Sequence, residues 1–206
     1  MPASFRYSSD ATMGELDTIT ALMAGIGLSA ACGFRVFLPF LGLSLAAMNG
    51  YVTLAEGFQW LGTWPALVVL LSATGVEIAA YYVPVIDNLL DTIAAPVAVV
   101  AGILAMAAIA IDMPPVLKWS VAVIAGGGVA GVVQGSTIVA RALSTIHLPG
   151  PGNFIVATLE WLGAAGTTLV ALLIPFAALV MVIIILLWLA IRWLRISRSN
   201  RARGAH

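Results

Sequence analysis

A chain of 206 residues with 62% hydrophobic and only 9% charged residues has too little polar surface for a water-soluble body, in which about a quarter of residues are charged. Its mean hydropathy of +1.08 makes lipid the natural solvent. The formal net charge of zero hides an asymmetry, because Arg192, Arg195, Arg198, Arg201 and Arg203 crowd the C-terminus while the body before them is acidic.

Residues 1–15 are polar and are expected to be disordered. Apolar runs follow at Leu16–Met48, Trp64–Val83, Ile93–Ile111, Val116–Leu143, Phe154–Ile174 and Phe176–Leu194. About 20 apolar residues cross the hydrocarbon core, so each run except the first fits one span. The first is too long for one straight helix and is interrupted at "GFRVFLP" (Gly33–Pro39). It is expected to be broken, strongly tilted or re-entrant. The last two runs meet at Pro175, as a tight hairpin or as one kinked helix. The expected fold is therefore all-α. It is a polytopic transmembrane bundle of five or six segments with broken helices, a single domain over residues 16–196 and a flexible basic tail over 197–206.

The connections are short. Met48–Gly62 carries Tyr51 and Trp60 as interfacial aromatics, with Trp64 nearby. "STIHLPGPGN" is a Gly/Pro loop that stops a helix. Gly75–Ile93 and Gly128–Ile146 share Gly-Val at the start and Leu-x-Thr-Ile at the end, and "QWLG" is echoed by "EWLG", which raises an internal repeat. The single cysteine, Cys32, allows no internal disulfide.

"GGGVAG" (Gly126–Gly131) matches a dinucleotide fingerprint in letters only, since no strand precedes it. It reads better as a packing face, with Gly127, Gly131 and Gly135 spaced by four for close helix approach. The ionisable residues in the runs carry more weight, because a charge at the bilayer centre costs about 2.5–3.5 kcal/mol on insertion scales. Glu77 is read as the deepest carboxylate. Arg35 sits between Gly33 and Pro39, where a helix hydrogen bond is lost, and Glu77 is its expected partner. Gln134, Thr137 and Arg141 fall on one helical face, as do Asn153 and Glu160. The candidate intramembrane polar site is thus Arg35, Glu77, Arg141, Asn153 and Glu160. Asp87 and Asp91, four apart near a loop, read as a solvated helix end or as a cation site. Two histidines, and no H-E-x-x-H, G-x-S-x-G or P-loop, give catalysis little support. No catalytic residue, metal or cofactor is expected.

"GIGLSAACGFRVFLPFLGL", "EIAAYYVPVIDNLLDTI", "ARALST" and "GNFIVATLEWLGA", in that order before a long apolar ending, resemble the bacterial integral-membrane family of domain of unknown function 4126. The resemblance covers Leu16 to about Leu194. It implies a functional set in which Gly33, Arg35 and Pro39 match the first segment, and Glu77, Pro84, Asp87 and Asp91 match the acidic segment. Arg141, Asn153 and Glu160 match the third. Trp161 stands where the family carries a second acid, and "VVQGST" where it often carries His or Lys. The family supplies a fold and a residue set, not an activity.

Two functions remain open. One is a small inner-membrane transporter or channel with a polar site for a small solute or an anionic lipid headgroup. The other is a scaffold or assembly partner whose buried charges only lock helix packing. The expected partners are the lipid bilayer and, left open, further copies of the chain, but not nucleic acid, because the basic cluster is short and membrane-proximal. That cluster places the C-terminus in the bacterial cytoplasm.

Overall fold

The structure, a computed structural model, describes the backbone of residues 3–80, 84–111, 113–147 and 151–203, and the side chains of 17–80, 93–111, 113–144 and 155–192. These residues form an all-helical fold. The helices are α1 (Ala3–Phe34), α2 (Phe37–Met48), α3 (Trp64–Ala80), α4 (Pro84–Ile109), α5 (Pro115–Val121), α6 (Gly128–His147), α7 (Pro151–Leu173) and α8 (Pro175–Arg203). One wide, π-type turn over Ala122–Gly127 joins α5 to α6 in a continuous rod, and a short 3-10 turn at Gln59–Gly62 precedes α3. Helix α1 takes in residues 3–15, read from the sequence as disordered; the stretch is polar but holds no proline after Pro2. Likewise α8 runs through the start of the basic tail to Arg203.

Four helices are long and apolar enough to cross a membrane, Asp17–Phe34, Pro115–Ser144, Ile155–Leu173 and Pro175–Arg192, and three shorter apolar ones accompany them. Large apolar side chains stand exposed along them, among them Val69 and Val76 on α3 and Ile184, Leu187 and Trp188 on α8. In lipid this outward surface costs nothing, because the bilayer core is as apolar as the side chains.

The first apolar run is broken at Arg35 and Val36, and the direction of its two pieces follows from what each touches. Phe34 meets Gly163 and Gly27 meets Ala171, so α1 runs antiparallel to α7. Arg35 meets Ala157 and Gly42 meets Thr168, so α2 runs parallel to α7, back the way α1 came. The pair is a helical hairpin with its apex at Arg35. Its open end lies at the near face, where the Ala55 N–H donates to the Ala108 carbonyl (2.7 Å) and the Ser44 hydroxyl to the Leu61 carbonyl (2.6 Å). From there α3, α4, α5–α6, α7 and α8 alternate in direction. That order puts the start of α1 and the end of α8 at opposite ends of the bundle.

Small residues let these helices approach. Ser29 donates to the Gly102 carbonyl at 2.9 Å, and the core between α1, α4, α7 and α8 is built from Ala101, Ala105, Ala108, Ala171 and Ala178 around Leu28. Gly102 and Gly126 face each other backbone to backbone. A Cβ on Gly126 would lie 2.6 Å from the Gly102 oxygen, and one on Gly102 would lie 2.7 Å from the Gly126 oxygen. Of the packing face expected at Gly127, Gly131 and Gly135, the first two face α4 and the third does not. Gly127 and Gly131 touch only the side chains of Ile103 and Val99, and nothing lies near Gly135. A spacing of four turns the helix about 40° past a full turn at each step, so a third glycine leaves the face. Gly126, Ala130 and Val133 hold it.

The paired sequence stretches take different structures. Gly75–Ile93 spans the end of α3 and the start of α4, whereas Gly128–Ile146 is one helix; "QWLG" is a 3-10 turn and "EWLG" part of α7. The likeness is one of composition.

Candidate functional site

Four of the five expected site residues converge at the hairpin apex. Arg35 follows the last turn of α1, its N–H donating to the Ala31 carbonyl (3.0 Å). Its Nη2 donates to Glu160 Oε2 (3.0 Å) and to the Ala157 carbonyl (3.3 Å), both on α7. Arg141, from α6, grips the same carboxylate as a fork. Nε donates to Oε1 (2.9 Å) and Nη2 to Oε2. One carboxylate thus holds two guanidiniums, and all three side chains are buried, at 1%, 9% and 5% exposure for Arg35, Arg141 and Glu160. Charge-assisted, bidentate bonds of this kind are the strong ones.

The expected Arg35–Glu77 pair is not the arrangement found. Glu77, one turn before the end of α3, accepts from the backbone N–H of Val36 (3.2 Å) and of Phe37 (3.4 Å). The physical reason is the chain break. The first N–H groups of a helix have no partner within it, and at the start of α2 Val36 is half-buried and Phe37 is exposed on the flank of the bundle. A carboxylate there satisfies them and sits at the positive end of the helix dipole. With Glu77 so engaged, Arg35 binds Glu160 instead. Pro39 falls in the first turn of α2, where its missing N–H leaves no intrahelical bond unmade.

Phe34, Arg35, Val36, Glu77, Ala94, Gln134, Arg141 and Glu160 enclose a cavity of about 30 Å³, room for a single water-sized guest. Gln134 and Arg141 reach it from the same face of α6, and Gln134, which the sequence placed on that face without naming it in the site, belongs to the lining. Thr74 lies three residues before Glu77, on the same side of α3. Its buried hydroxyl has no hydrogen-bond partner among the described residues, and neither has the indole N–H of Trp161. The side chains of Asn153, Asp87 and Asp91 lie outside the described residues, so neither Asn153's place in the site nor the aspartate pair is visible. Among the described residues, no three His, Cys, Asp or Glu side chains gather as metal ligands would.

The depth of the cluster follows from α7. Glu160 is 13 residues, about 20 Å, from the Leu173 end and nine residues, about 14 Å, from Pro151. The charges therefore lie within the span, nearer the face where α8 ends.

An all-helical bundle with exposed apolar flanks, several helices long enough to span and a helical hairpin tied to a buried charge cluster is a polytopic membrane protein. The chain belongs to the family described as domain of unknown function (DUF4126), whose model matches residues 22–196. No curated protein and no solved structure matches it.

Proposed function

We propose that the protein is a small transporter of the bacterial cell membrane, passing a small anionic solute or the anionic part of a lipid headgroup through the site at the hairpin apex. The observation that supports this most is the meeting of Arg35, Arg141, Glu160 and Glu77 around a small cavity, at a break between two helices; the cavity must widen to admit an anion. Broken helices whose ends face a midplane polar site are how many transporters hold charged cargo. Two guanidiniums offer the planar forks that carboxylate and phosphate groups recognise. Both are balanced by Glu160 and Glu77 when the site is empty, so an entering anion needs one carboxylate neutralised. Loading an anion together with a proton keeps the site electroneutral. The basic tail is cytoplasmic in this proposal, and because α1 begins at the opposite end of the bundle from the end of α8, the N-terminus is then outside.

A second reading is favoured by one feature. Glu160 already bonds both arginines, and a paired Arg–Glu–Arg triad is sufficient as a packing lock for a scaffold. Two measurements separate the readings. In a Cys32→Ser background, Gln134→Cys should react with a membrane-impermeant thiol reagent from one face, and phosphate or small carboxylates should protect it. Those anions should also raise the melting temperature of the wild type in detergent, as any ligand of the folded state does, but not that of Arg35→Lys. A thiol at position 134 inert from both faces, with no anion raising the melting temperature, would leave only the lock.

A further inference from the structure

A second, wholly apolar cavity meets the charge cluster at Val36 and runs away from it. It has a volume of about 440 Å³ and runs between α2, α3 and α4 from Trp60 at the near face to Val36 at the apex. Its inner wall is Phe37 and Phe40, one turn apart on α2. Its outer wall is Val97, Val100 and Leu104 on α4. The α4 residues fall on one face, and Val97 and Val100 are about half exposed. Helices α3 and α4 follow one another in sequence yet touch at few places, so the groove opens sideways into the hydrocarbon. Pro96, inside α4, lines it too.

Water has no reason to occupy this space, since only apolar side chains line it and a buried water needs two to four polar partners. At that depth the available filler is a hydrocarbon chain. The mouth adds a polar end. Phe58 lines the groove and carries Lys118 Nζ over its ring, 5.2 Å from the centroid. Lys118 in turn lines a mixed cavity of about 600 Å³ at the near face, with Thr53, Glu56 and Trp119. Lys118 makes no ion pair among the described residues. Trp60 and Trp119 stand exposed on either side, as aromatics at a headgroup boundary do. Apolar depth, a cation at the rim and flanking indoles match the order of chain, phosphate and interface in a phospholipid.

We propose that this groove is a bound-lipid site: one acyl chain of a bilayer phospholipid lies along α2 between α3 and α4, with its phosphate beside Lys118. The site does not depend on transport, and a scaffold would hold the same lipid.

The test uses the full chain purified in mild detergent and supplied with phosphatidylglycerol. Native mass spectrometry should show one phospholipid retained per protein. Val100→Trp, which fills the groove from a half-exposed position, should abolish retention. Lys118→Gln should weaken it about fivefold, the loss expected for one cation near a lipid surface. A diazirine analogue of leucine at Leu104 should still form a phospholipid adduct after extensive detergent washing, while the same group replacing Ile184, exposed on α8, should lose its adduct. That comparison stands even if Val100→Trp fails to fold. Equal loss at both positions, or full retention by a folded Val100→Trp, would mean annular lipid only and would overturn the proposal.

Discussion

Two apolar runs in this chain are interrupted beside a proline, and the two interruptions differ in depth. At Ile174 and Pro175 the break lies at the near face. Leu173, Ile174 and Phe176 are exposed, and helical hydrogen bonds approach from both sides, Ile174 N–H to the Val170 carbonyl (2.8 Å) and Ala178 N–H to the Ile174 carbonyl (3.1 Å). Ala171 and Ala178 both close on Gly27, so the junction is a tight hairpin rather than one kinked helix. Small residues hold it, and no charge is needed. At Arg35 and Val36 the break lies inside the bundle. There the freed N–H groups of α2 have taken Glu77, and the arginine that follows α1 has taken Glu160. The same local signal gives a bare turn at the interface and a four-charge cluster at depth, because unpaired backbone groups are cheap beside water and cost several kcal/mol each in hydrocarbon.

The largest effect that would sharpen this contrast comes from Glu160→Ala. It strands two buried guanidiniums, and removing one partner of a buried ion pair typically costs about 3–5 kcal/mol. Unfolding followed by SDS titration in mixed micelles should show that loss, or no folded protein should be recovered. A variant of wild-type stability would mean that water reaches the arginines freely and that depth does not set their cost.

Glu77→Ala comes next. It leaves the Val36 and Phe37 N–H groups without their acceptor; a fully buried unsatisfied donor costs about 1–3 kcal/mol, and these partly exposed ones should fall at the low end of that range. Glu77→Gln keeps one acceptor oxygen and should recover part of that loss in the same titration. Equal loss in the two variants would show that charge, not backbone capping, is what Glu77 provides.

The sequence makes much of this legible. The break could be read at Gly33–Pro39 because an arginine and a proline have no place within a lipid-facing helix, and the polar face of α6 could be read from the spacing of Gln134, Thr137 and Arg141. The identity of Arg35's partner could not. Glu160 is 125 residues away along the chain, and choosing it over Glu77 requires knowing that α2 turns back and presents its own N–H groups. The point of closest approach on the glycine face could not be read for a similar reason. Letters spaced by four look like a stripe, but only contact with Gly102 shows that Gly126 is the residue at the crossing.

Gly126→Leu gauges packing without any change in charge. Overpacking costs about 1–3 kcal/mol, and here the obstacle is the backbone of α4, which cannot swing aside. Gly135→Leu, where nothing lies near, should leave stability within about 0.5 kcal/mol, as surface changes usually do. Similar losses from both in SDS titration would place the α4–α6 crossing elsewhere.

The smallest effect is expected at the other break. Pro175 opens α8 at its first position, where a proline gives up no hydrogen bond and is already set for a helix. Pro175→Ala removes that constraint from the unfolded chain as well as the folded one, so its cost should stay within about 1 kcal/mol. The alternative outcome for the folded state is fusion of α7 and α8 into one straight helix, which alanine allows locally. Fusion would pull Ala178 and Val182 away from α1, where they pack against Gly27 and Ala30, and would move the C-terminus to the opposite face. The hairpin should therefore survive. A C-terminal reporter should keep its sidedness in Pro175→Ala, and the SDS midpoint should shift far less than in Glu77→Ala. A reversed reporter would show that the proline, not the alanine seam along α1, makes the turn, and a loss matching Glu77→Ala would show that a break at the interface costs as much to hold as one at depth.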